Sequence, residues 1–94
     1  MVFVHGVPPQ PQGDVTEHTR QVLERIDKLL ALAGSHKSRL LTAQIKLSDL
    51  TLLEQHKSAW DEWVDPKAPL VRAVTQGALQ RPGTLVEIVV TARK

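Results

Sequence analysis

The chain has 94 residues, 41% of them hydrophobic and 23% charged, with a formal net charge of +2, which is enough for one globular domain and too little for two. It contains no cysteine, so a disulfide framework, a thiolate metal site and a cysteine nucleophile are all excluded. Its cations are interspersed with acids and its aromatics are only Phe3, Trp60 and Trp63, so the basic stripe and stacking platforms of a nucleic-acid binder are missing and nucleic acid is not expected as a partner.

Val2 to Val7 reads as a short strand ended by Gly6 and the Pro8-Pro9 pair. The opening MVFVHGVPP is too short, and broken too soon by proline, for a signal peptide. No apolar run approaches a membrane span, so a cytoplasmic protein without membrane contact is expected. Pro8 to Gly13, PPQPQG, is a connector that cannot be helix or central strand. Asp14-Val15-Thr16-Glu17 fits a capping box, and Val22, Ile26, Leu29, Leu30 and Ala33 then recur at helical spacing. A helix from about Val15 to Ala33 follows, with Gly34 as its left-handed stop. It would be about 28 Å long, enough to lie across a small sheet.

After a polar turn at Ser35 to Ser38, Leu41, Ala43, Ile45 and Leu47 alternate with polar residues, the period of a strand with one buried face. Thr51 to Glu54 fits a second capping box, opening a helix whose apolar face is Leu52, Leu53, His56, Ala59, Trp60 and Trp63. Leu70 to Ala78 and Thr84 to Ala92 read as two further strands, joined as a hairpin through Arg81-Pro82-Gly83. The order β-α-β-α-β-β predicts a single α+β domain over residues 1–94, a mixed sheet covered on one face by two helices. Val71, Ala73, Val86, Ile88 and Val90 are expected on the other face. They are too apolar for water, so that face is expected to pack against another copy.

His5, His18, His36 and His56 show no metal-ligand spacing, so no metal is expected. The serines sit outside any nucleophile elbow, and the glycines form no phosphate cradle. Two charges stand out because each interrupts an apolar strand: Arg72 in LVRAVTQ and Glu87 in LVEIVV. A charge in such a strand is costly unless paired or used. One reading is a cross-strand ion pair at a sheet edge, worth about 0–1 kcal/mol. The other is a site in which Arg72 offers its planar fork to a small carboxylate and Glu87 holds or deprotonates a water. Such a pair suffices to hydrolyse an imine beside a carboxylate.

DVTEHTRQVLERIDKLLALAGS, TAQIKLSDL with LLEQHKSAWDEWV, and PLVRAVTQGAL with LVEIVV resemble, in order and spacing, the RidA/YjgF family of reactive-intermediate deaminases. The DEWV helix ending is similar to the YoaB-like branch. The resemblance implies a chorismate-mutase-like fold and a homotrimer with clefts between subunits. It also implies hydrolysis of imines and enamines such as 2-aminoacrylate and 2-iminopropionate to the 2-keto acid and ammonia, without a cofactor. Arg72 falls on the family's substrate arginine and Glu87 on its water-positioning glutamate. Lys57 falls on an asparagine of the second helix, His5 on a serine of the first matched strand, and Val74 on a cysteine, so these three are expected to line the substrate. The family's usual first strand, with a tyrosine, would precede Val2, and the sequence starts after it. A non-catalytic module holding keto acids between subunits is the alternative, and RNA cleavage a third reading.

Overall fold

The computed structural model describes residues 1–8, 13–79, 81 and 83–94. In chain order the elements are β1 (Val2–Gly6), α1 (Val15–Leu32), β2 (Leu40–Leu47), α2 (Leu53–Trp63), β3 (Val71–Gln76) and β4 (Val86–Ala92). Most of the connector at Pro8 to Gly13, and Pro82 of the Arg81-Pro82-Gly83 turn, lie outside the described residues. Asp14 caps α1 by accepting from the Glu17 amide at 3.0 Å, and Gly34 ends it at a φ of 78°, both as the sequence predicts. The second cap differs. Asp49 accepts from the Thr51 amide at 2.9 Å and opens a 3₁₀ turn over Leu50–Leu52, and α2 then starts at Leu53 without a side-chain cap.

The sheet runs in the order β1-β4-β2-β3. β4 is antiparallel to both its neighbours, and β2 is parallel to β3. β3 and β4 are therefore not the expected hairpin. A parallel pair needs a crossover, which α2 supplies between β2 and β3, and the chain then returns past β2 to form β4. The segment 77–85 is longer than a tight hairpin turn requires, which is the local sign of that return.

Both helices cover one sheet face. Ile45, Leu47, Val86, Ile88 and Val90 are buried there against Val22, Ile26, Leu30 and Trp60. Burying each Val, Leu or Ile contributes about 1.5–3 kcal/mol. The expectation that Val86, Ile88 and Val90 line the open face is thus corrected, since all three have no exposed surface. Leu32, beside the buried stripe of α1 in sequence, lies off it on the helix and is 85% exposed. Gly6 lets α1 approach β1: a Cβ there would lie 3.1 Å from side-chain carbons of both Val22 and Ile26.

The uncovered face is ordered by the strand register. One row across the four strands is Phe3, Thr91, Thr42 and Val71, the next His5, Val89, Gln44 and Ala73, and a third brings Glu87, Lys46 and Thr75 together. Phe3 and Val71, at the two ends of the first row, are 73% and 70% exposed. Between them the hydroxyls of Thr42 and Thr91 are bonded at 2.6 Å.

Candidate functional site

Alternation along β1 and β4 sends His5 and Glu87 to the uncovered face, one step apart diagonally in the register. There His5 Nε2 donates to Glu87 Oε1 at 2.6 Å. A carboxylate offers only acceptors, so the imidazole supplies the proton of this bond. The Glu87 side chain keeps 20% of its surface exposed and that of His5 keeps 50%, so the second carboxylate oxygen can take another donor. Glu87 lines two adjoining hollows. One, of about 300 Å³, is walled by Gln44, Lys46, Ala73 and Thr75; the other, of about 180 Å³, by His5, Val7, Arg81 and Thr84. A carboxylate steadied on one oxygen and open on the other can orient a water and take its proton.

Arg72 lies on the opposite side of the sheet. In the β2–β3 register it stands beside buried Ala43, which in turn pairs with buried Val90, so its side chain leaves the strand on the helix face. Its guanidinium carbon sits 5.0 Å from the centre of the Trp60 ring on α2, a cation–π contact. The group is half-buried, and two of its nitrogens, Nε and Nη2, are buried without a hydrogen-bond partner among the described residues. Burial pulls the Arg72 pKa below the ordinary arginine range, and the nearby Asp61 carboxylate opposes that shift.

The residues singled out by sequence thus fall into separate places. His5 and Glu87 meet; Arg72 and Val74 share the helix-facing side of β3, with Val74 packed against the core. Lys57 is exposed on α2, 3.7 Å from Asp61 in an i,i+4 pair. The cross-strand pair considered for Arg72 and Glu87 does not form within one chain, because β2 separates their strands and the sheet separates their side chains. The groups that sequence reading missed are those around Arg72. In the sequence His56 and Trp60 belong to the apolar face of the second helix, and their i,i+4 spacing with one polar ring is the signal that marks them. Lys46 and Thr75 join Glu87 only through register. Among the described residues no three His, Asp or Glu side chains converge as metal ligands would.

Two helices on one face of a mixed four-stranded sheet, with a second face left open, define an α+β domain of the chorismate-mutase-like kind. A family model described as Endoribonuclease L-PSP matches residues 1–94, and the chain belongs to that family, the same one that includes the RutC and YjgF proteins. It is 51% identical over 76 residues to a RutC family protein of Haemophilus influenzae, a match covering 81% of this chain and 66% of that relative. To the RutC family protein YoaB of Escherichia coli it is 36% identical over 91 residues, covering 97% of this chain and 80% of YoaB. A crystal structure of a YjgF family member from Neisseria meningitidis superposes with a TM-score of 0.92 at 36% identity, over 97% of this chain and 76% of that one. The RidA/YjgF resemblance read from the sequence therefore holds for family and fold. No helix among the described residues is long and apolar enough to cross a membrane.

Proposed function

We propose that the protein hydrolyses 2-imino and 2-enamino acids, such as 2-iminopropionate and 2-aminoacrylate, to 2-keto acids and ammonia, without a cofactor. The observation that carries this reading is the 2.6 Å contact of His5 with Glu87 beside two hollows on the open face. An enamine first takes a proton at C3 to become the imine; Glu87 then takes a proton from water as its oxygen adds to C2 and returns that proton to the imine nitrogen. The carbinolamine then collapses to the keto acid as the C–N bond breaks and ammonia leaves. His5 holds the other carboxylate oxygen in place. Arg72 binds the substrate carboxylate, in the geometry for which guanidinium is suited.

Since Arg72 and Glu87 leave opposite faces of one sheet, the two act on one ligand only when they come from different copies. The reading is therefore an oligomer, for which the family resemblance implies a cytoplasmic homotrimer with a cleft at each junction, β3 of one subunit meeting the open face of the next. The exposed Phe3 and Val71 on that face support such packing. Feeding 2-aminoacrylate from a serine dehydratase should give faster pyruvate release with the wild-type protein than with Arg72→Ala or Glu87→Gln. Equal rates for all three overturn the proposal. Binding of 2-ketobutyrate without any acceleration would identify a non-catalytic binding module instead. RNA cleavage that survives in neither variant would favour the activity for which the family model is described.

A further inference from the structure

Beneath Arg72 lies a buried polar chain that neither the family match nor the proposed chemistry uses. His56 on α2 has no exposed surface. Its Nδ1 is 3.0 Å from the Thr19 hydroxyl on α1, and that hydroxyl lies 2.7 Å from the Val15 carbonyl one turn back. A carbonyl only accepts, so the Thr19 proton is committed to Val15 and the Thr19 oxygen must accept from His56. The chain fixes the tautomer: Nδ1 carries the proton and Nε2 presents a bare lone pair.

That Nε2 is buried without a partner among the described residues, and so are Nε and Nη2 of Arg72. The two side chains flank the same Trp60 ring, whose centre is 6.4 Å from the imidazole and 5.0 Å from the guanidinium carbon. An unmet acceptor and two unmet donors that share one aromatic neighbour are each costly alone and complementary in kind, and the Arg72 charge reaches the imidazole. Burial and then the Arg72 charge push the His56 pKa down to about 4, with Asp61 opposing, so near neutrality the lone pair is available and adds no like charge.

We infer that His56 is a positioning residue for Arg72: its Nε2 accepts, through one bridging water, from the inward N–H groups of the guanidinium, and so turns the remaining N–H groups toward the carboxylate of the ligand. Thr19 acts one step further back by holding the imidazole and its tautomer. This rests on Arg72 being the carboxylate-binding group, and the test separates the two ideas.

Nitrogen NMR of the wild-type protein, with no variant to fold, should show His56 protonated at Nδ1 and bare at Nε2, and a slowly exchanging Arg72 Nε–H signal. Calorimetry with 2-ketobutyrate should give a dissociation constant raised about tenfold in His56→Leu. His56→Gln, which restores an acceptor, should recover most of the loss, and Thr19→Val should show an intermediate one. A proton found on Nε2, or an Arg72 Nε–H signal unchanged in His56→Leu, overturns the inference. If Arg72→Ala binds 2-ketobutyrate as well as wild type, the anchoring role of Arg72 fails instead, and the NMR signals still decide whether His56 holds it.

Discussion

The two polar sites of this chain contrast in how they are built. On the open face His5 and Glu87 satisfy one another at 2.6 Å in partial contact with solvent. Under α2, half-buried Arg72 and fully buried His56 each keep unmet hydrogen-bonding groups against Trp60. An exposed pair exchanges water for a partner at little net gain, whereas a buried group without one keeps its full desolvation cost. The open-face pair is thus placed to handle a mobile water, and the buried cluster to hold one side chain in one orientation.

On that division of roles the largest effect belongs to Glu87. Glu87→Gln keeps the shape and removes the base, and kcat should fall by about 10²–10⁴ with KM nearly unchanged, as loss of a general base predicts. Arg72→Ala should act the other way, weakening affinity for a small carboxylate about 10–100-fold, the size of a charge-assisted hydrogen bond, as calorimetry would show. A reversed split, with KM moving for Glu87 and kcat alone for Arg72, would break the comparison.

The next effect is on stability and pH. His56 has a pKa of about 4 in the folded protein against an ordinary 6.5, so between those values the unfolded chain binds the extra proton. Its contribution is fully present above pH 6.5 and is lost as the pH falls toward 4. The loss is about 3 kcal/mol in order of magnitude. Urea melts across this window should show the slope, and His56→Leu should flatten it. Smallest is the His5–Glu87 pair itself: His5→Ala should change unfolding free energy by no more than about 1 kcal/mol, while still reducing turnover.

The same contrast explains what was legible in the sequence. Local signals placed the elements: the Asp14 cap, the Gly34 stop, and the alternation of Ala43, Ile45 and Leu47, whereas Leu41, read with them, is exposed and Leu40 is buried in its place because the register shifts between Leu40 and Thr42. Parity along one strand puts Arg72 with Val74 and Glu87 with Val89, as the register has them. What parity within a strand cannot give is which face of one strand matches which face of another. That depends on β2 lying between β3 and β4, a non-local fact, and it decided that Ala73 shares a face with Glu87 while Ile88 and Val90 are core. His56 escaped notice because an imidazole at a core position reads as ordinary helix face until Thr19, 37 residues away in sequence, is seen to fix its tautomer.

The central claim is that one cleft takes Arg72 from one copy and Glu87 from another. Mixing Arg72→Ala with Glu87→Gln under conditions of subunit exchange tests it directly. With substrate well below KM, each variant alone should release pyruvate at least about tenfold more slowly than wild type, and the equimolar mixture should recover about one quarter of the wild-type rate, the share of junctions at which both native residues meet in a randomly mixed ring. No recovery, with mixed oligomers demonstrated by differently tagged subunits, would contradict it.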